Sequence, residues 1–212
     1  LVEEGELGEL GRFESRFERW RPEVDGSKWN ERADPADAGG VLFDLGPHLI
    51  DQALELLGPA RSVYAELRRV RPGAAVDDDA FLALEHESGA RSHLWASLVA
   101  AGIGPRLRAL GTRAAYVKHG LDVQEGALRE GARPTEAGFG EEPESAWGEL
   151  VAGGEGSTVP TQPGRYIEFY EWLEKAIRSA ASPPVPLEAG IATLRVIEAA
   201  RASSEQGVVV PL

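Results

Sequence analysis

Three strand-like runs follow one another without an intervening helix, at residues 61–71, 79–87 and 90–100. Strands that come consecutively pair with their sequence neighbours through short turns, which builds an antiparallel sheet rather than alternating βα units. Ser88-Gly89 between the second and third runs predicts a hairpin. Runs at 106–111 and 114–118, turned at Thr112-Arg113, extend the series. Residues 9–20 alternate Phe13, Ser15 and Phe17 with Glu14, Arg16 and Glu18, the pattern of a strand with one buried and one charged face. Helical spacing marks a segment from Pro47 to Gly58, a short piece near 122–130, and two long helices over 165–181 and 187–204. Tyr166, Tyr170, Leu173 and Ile177 share a face of the first long helix; Leu187, Ile191, Leu194 and Ile197 form the stripe of the second. Val208 to Val210 offers a last edge strand, and the Gly-, Pro- and Glu-rich stretch 131–164 predicts a long irregular excursion.

The expected class is therefore α+β: a large, mainly antiparallel open sheet with helices on one face. Strand 90–100 departs from that scheme. It puts Leu94, Ala96 and Leu98 on one side and Trp95 and Val99 on the other, where a solvated face should be polar. Either another domain or subunit covers the second face, or a local loop does.

A chain of 212 residues suffices for one substantial core or two small ones. Its formal net charge of −13 repels phosphate backbones and anionic lipid heads, so nucleic acid and membrane are not expected partners. No apolar run approaches the ~20 residues of a membrane helix. The absence of cysteine excludes disulfides, thiolate nucleophiles and cysteine-based metal sites, and is compatible with a cytoplasmic location. The absence of methionine suggests a piece of a longer protein. Gly102, Gly104 and the pair Gly153-Gly154 do not sit between a strand and a helix, so no dinucleotide-binding loop is recognised.

The chemistry concentrates in Gly39–Gly58, GGVLFDLGPHLIDQALELLG. Asp44 and His48 stand four apart, a spacing that puts both on one helix face. A carboxylate beside an imidazole fixes its tautomer and raises its proton affinity, which suits acid–base work. The plainer reading makes Asp44 the cap of the helix that Pro47 starts, with His48 a hydrogen-bonded core residue. Asp44, His48 and Asp51 as metal ligands would spread over an arc of one and a half turns, without a second histidine at ligand spacing. Asp77-Asp78-Asp79 reads as a solvated turn, and His86 and His93 as hairpin residues that could face each other.

The stretch resembles the signature helix of the Gfo/Idh/MocA family of NAD(P)-dependent oxidoreductases: a glycine-rich start, Asp-x-Gly-x-His-x-x-Asp, then Leu-x-Gly. Gly39-Gly40, Asp44, Gly46, His48, Asp51, Leu57 and Gly58 occupy those positions, although here Leu57 and Gly58 adjoin. The opening GELGEL, FERWRPEV, VKHGLDVQEGALREG and GRYIEFYEWL look like a subgroup that includes NADP-dependent scyllo-inositol dehydrogenase-like enzymes. The resemblance implies that residues 1–212 form the single C-terminal, glucose-fructose-oxidoreductase-like domain, with 1–8 leading in from a Rossmann domain that this chain lacks. It implies NAD or NADP, with NADP ahead, bound mainly by that other domain, and a polyol, sugar or inositol substrate. It also implies a homo-oligomer, dimer or tetramer, built through the open sheet face. The family's catalytic aspartate and histidine fall on Asp44 and His48. The loop before the helix offers Arg21, Trp29 and Arg32 as substrate contacts, and the segment before the long helix offers Arg165 and Tyr166. Each also has a structural reading: Trp29 as a lid packed on the core, the arginines as surface charges. The implied activity is a dehydrogenase or reductase acting on CH–OH groups, inactive as this fragment. The rivals are a non-catalytic ligand-binding or assembly module of the same fold and a stand-alone metal-dependent isomerase or lyase.

Overall fold

A computed structural model describes the backbone of all 212 residues and every side chain except that of Pro35. The strands are β1 (Leu10–Glu18), β2 (Ala60–Arg68), β3 (Asp79–His86), β4 (Arg91–Ser97), β5 (Leu107–Gly111), β6 (Ala115–Lys118), β7 (Gly148–Ala152), β8 (Glu155–Val159) and β9 (Val210–Pro211). They form one nine-stranded sheet in the order β8-β7-β6-β5-β1-β4-β3-β2-β9. β1, first in sequence, lies in the middle. It pairs parallel with β4 and antiparallel with β5, and every other pairing is antiparallel. This is the open, mostly antiparallel sheet that the consecutive strands predict.

The helices are α1 (Val41–Asp44), α2 (Gly46–Leu57), α3 (Gln124–Arg129), α4 (Tyr166–Ser179) and α5 (Leu187–Gln206). α1, α2 and α5 cover one face of the sheet. Leu42, Leu49, Ile50 and Ala53 from the first two, and Ile197 and Ala200 from α5, bury against Val63, Leu82, Leu84 and Leu94. Removing that apolar surface from water is the main force holding the layers together.

Four local expectations need correction. Residues 131–164 are not wholly irregular, because β7 and β8 form a hairpin within them. Its turn is Gly153-Gly154, with φ of 60° and 89°. Tight hairpin turns need positive φ at both central residues, so this glycine pair is turn chemistry. The core stripe of α5 is also different: Leu187 and Leu194 are 73% and 55% exposed, while Thr193, Val196, Ile197, Ala200 and Ser203 are buried. Small residues let the helix lie close to β2, where Ser203 Oγ accepts the Ala65 N–H at 2.9 Å and Ser204 Oγ the Leu67 N–H at 2.9 Å.

The third correction concerns Asp77-Asp78-Asp79, which is not a solvated turn. Asp78 is fully buried and accepts the Val70 and Arg71 N–H groups and the Arg71 guanidinium, the last at 2.9 Å. Arg71 also reaches Glu31 at 3.3 Å and donates to the Glu23 carbonyl at 3.0 Å. A buried, hydrogen-bonded ion cluster therefore fastens the 21–40 loop to the segment that joins β2 to β3. His86 and His93 do not face each other either: His93 stands opposite Ala83 on the outer face, and His86 points into the core.

Candidate active site

The paired glycines exist for a close crossing. An added Cβ on Gly39 would lie 2.3 Å from the Arg32 carbonyl oxygen, and one on Gly40 would lie 2.2 Å from Asp77 Oδ1. Gly40 also has φ of 104°, open to glycine alone in practice. Asp77 starts α1 in place of a local cap: its carbonyl accepts the Val41 N–H and its Oδ2 the Leu42 N–H, each at 2.9 Å. Burial pushes the Asp77 carboxyl above its ordinary pKa.

Asp44 ends α1, Leu45 turns, and Gly46-Pro47 opens α2, where proline's missing N–H costs nothing. The cap of α2 is Leu45, which makes no side-chain capping bond. Asp44 Oδ2 instead accepts the Asn30 side-chain amide at 2.9 Å, and the Asn30 carbonyl accepts the Gly40 N–H at 2.9 Å. The plain capping role for Asp44 is therefore absent among the described residues. Asn30, held by the loop that Arg71 fastens, orients the carboxylate.

Asp44 and His48 line one cavity of about 520 Å³, between the N-terminal end of α2 and the helix-side face of β1, β5 and β6. Phe17 forms a wall, with its ring 5.9 Å from the imidazole. Arg19 and Arg106 flank that ring at 4.9 and 5.1 Å. Arg106 donates to Ser15 Oγ and the Arg16 carbonyl, both at 2.7 Å, and Ser15 donates to Gln52 Oε1 at 2.9 Å. That chain of bonds ties α2 to β1 and β5. Lys118 is buried and pairs with Glu142. Asp122 and Glu125 complete the far side. Burial lowers the pKa of Arg19 and of Arg106, as expected of cations withdrawn from water.

Tyr166 lines the same cavity, and its N–H is held by buried Gln124 Oε1 at 2.9 Å. Burial and the acids Asp122 and Glu125 raise its phenol pKa. Arg21, Trp29, Arg32 and Arg165 do not line this cavity. The Arg21 carbonyl accepts from Arg71, and Trp29 is 53% exposed. Arg32 donates to the Ser27 carbonyl and borders a separate cavity of about 260 Å³, while Arg165 pairs with Glu168 on the surface. Phe17, Arg19, Asn30, Gln52, Arg106 and Lys118 had no signal in spacing or motif; each reaches the site from an element that only the folded sheet brings near. Asp51 is exposed and lies outside the cavity. Among the described residues, no three carboxylate or histidine side chains cluster closely enough to hold a metal ion.

An open sheet with helices on one face defines an α+β domain, and its broken helix presents a carboxylate and an imidazole into one cavity. The chain belongs to the GFO/IDH/MocA family, whose C-terminal domain matches residues 1–117. It is 33% identical over 210 residues to the scyllo-inositol 2-dehydrogenase (NADP(+)) IolW of Bacillus subtilis (strain 168), covering 97% of this chain and 58% of that protein. It is 36% identical over 200 residues to the uncharacterized oxidoreductase YdgJ of Escherichia coli (strain K12), covering 93% and 57%. Among solved structures, the yvaA protein of Bacillus subtilis superposes with a TM-score of 0.92 at 33% identity, over 100% of this chain and 61% of that one. The chain thus spans about three fifths of the length of these relatives.

Proposed function

We propose that this chain is the substrate-binding domain of a nicotinamide-dependent oxidoreductase acting on a CH–OH carbon of a sugar, inositol or related polyol. The observation that carries the reading is Asp44 and His48 together in one polar cavity, Asp44 oriented by Asn30. The family membership and the relatives' names support it.

The nicotinamide dinucleotide is held mainly by a part of the full-length protein outside this chain. The residues present fit that division. No glycine loop follows a strand and opens a helix in the chain itself, and the cavity is not closed. His48 also borders a neighbouring groove lined by Leu187, Ile191 and Leu194. When bound, nicotinamide supplies the acceptor for the hydride that leaves the carbon. The protein's own work is to hold the hydroxyl against His48, which takes its proton as the carbonyl forms, and to return that proton in the reverse direction. Asp44, fixed by Asn30, orients the substrate or the imidazole. Phe17 and Leu45 keep bulk water from one side of the reacting group.

The sheet's outer face is the proposed interface between copies. Register places Glu66, Phe81, Trp95 and Arg16 in one row across it, and Tyr64, Ala83, His93, Glu14 and Arg108 in the next. Phe81 and Trp95 stack at 5.3 Å, and Arg16 sits 4.1 Å over Trp95. The full-length protein supplied with NADP⁺ or NAD⁺ and scyllo-inositol or other cyclic polyols should reduce the cofactor. No reduction with any polyol or sugar would reject the substrate class, and no binding of either nicotinamide cofactor would favour a non-catalytic module.

A further inference from the structure

Arg19 is the one cation of the cavity that has no polar partner among the described residues. Arg106 is satisfied by Ser15 and Arg16, and Lys118 by Glu142 and two carbonyls. Arg19 makes only the ring contact with Phe17. Its backbone is nonetheless fixed: its N–H donates to the Ser97 carbonyl at 2.8 Å, and its carbonyl accepts the Ala100 N–H at 3.1 Å. A guanidinium has five donors in a rigid fork, and no protein acceptor among the described residues takes those of Arg19. In a chain of net charge −13 this arginine nevertheless pairs with no carboxylate, although four line the same cavity.

We infer that Arg19 is a substrate-binding and specificity-determining residue, its fork donating to two adjacent oxygens of an uncharged vicinal diol. The inference rests on the reading of this cavity as the substrate site. The charge lining decides the ligand's charge. Asp44, Asp122, Glu125 and Glu142 stand against Arg19, Arg106 and Lys118, four carboxylates to three cations. Lys118 is already committed to Glu142. A phosphate or carboxylate ligand only accepts hydrogen bonds, so it would satisfy Arg19 while facing acids to which it has no proton to give. A hydroxyl both accepts and donates. Adjacent hydroxyls can take the Arg19 fork on one side and give their protons to Asp44 or to Asp122 and Glu125 on the other. Arg19 holds the diol in the ground and transition states alike, so its loss falls on binding more than on the chemical step.

The His48 ring signals, assigned by their loss in a His48→Gln variant, can be followed by NMR. The probes are scyllo-inositol and, as its charged counterpart, myo-inositol 1-phosphate, titrated into the full-length protein and its Arg19→Gln and Arg19→Lys variants. The neutral inositol should shift His48 saturably in the unmodified protein. Its Kd should rise ~10-fold or more in Arg19→Gln, the scale of a lost charged hydrogen bond. Arg19→Lys, which keeps the charge and loses the fork, should recover only part of the affinity. The phosphate ester should bind more weakly than the neutral inositol. An Arg19→Gln Kd within about twofold of the unmodified value, in a variant whose amide spectrum is otherwise intact, overturns the role of Arg19 and leaves the pocket reading standing. Tighter binding of the phosphate ester overturns the uncharged diol. Failure of any polyol to move His48 in the unmodified protein removes the pocket reading, and the role of Arg19 with it.

Discussion

His86 is completely buried, with Nδ1 2.7 Å from the Gly58 carbonyl oxygen and Nε2 against Ser92 Oγ. A neutral ring satisfies both contacts, donating from Nδ1 and accepting at Nε2. Burial lowers its pKa below the unfolded value, and the Gly58 contact offsets only part of that. The unfolded chain therefore binds the proton more readily than the folded one. The stability contributed by neutral His86 is complete above the unfolded pKa of ~6.5 and is lost as pH falls through the folded pKa. Urea unfolding between pH 7.5 and 5 should show stability falling with pH, and the fall should be shallower in His86→Gln. Equal slopes would remove His86 as a cause. At this same scale the sequence singled out Asp44 and His48, whose spacing and glycine frame are local and which line one cavity. It was silent on Asn30, Arg19 and Arg106, because a loop asparagine or a strand-end arginine looks the same whether it meets solvent or a cavity.

Elements were legible where a local period and a turn signal agreed. β3 and β4 follow from alternation around Ser88-Gly89, with φ of 86° at Gly89. The β7–β8 hairpin is hidden because its strands are five residues each, GELVA and EGSTV, too short for a clear alternation. The buried face of α5 was hidden because it is small and partly polar. Ser203 and Ser204 act where β9 ends: β9 pairs with Ser62 and Val63 of β2, and the serine hydroxyls take the next two free N–H groups of that strand. The helix thereby closes an edge that would otherwise recruit another strand. Ser203→Ala should destabilise the fold by ~1–3 kcal/mol, the cost of a buried donor left unpaired. Chemical denaturation reads this directly, and a loss within error of zero would mean that the Ala65 N–H finds another acceptor.

For the whole molecule, the sheet has one face packed by helices and the other bare, and the bare face is not polar throughout. Trp95 was visible in the sequence as an apolar residue on the wrong side of its strand. What the sequence could not supply is its surroundings: Phe81 beside it, Arg16 above it, and Glu14 bridged to Arg12, Arg16 and Arg108. Half-buried aromatics ringed by charge on an open sheet face, such as Phe81 and Trp95, suit a contact surface. Trp95→Glu should therefore shift sedimentation of the full-length protein from oligomer to monomer while leaving the cavity intact. A protein that sediments as a monomer before substitution would exclude the proposed interface. The proposed function assigns acid–base work to Asp44 and His48, which line one cavity. In the proposed reaction the domain offers the hydroxyl and receives its proton, and the hydride leaves toward a group held elsewhere. The most direct test of that division is single-turnover hydride transfer in the full-length protein with His48→Ala, using a polyol that the unmodified protein oxidises. The account predicts a chemical step slower by at least ~100-fold with substrate binding retained; an unchanged rate of hydride transfer would contradict it.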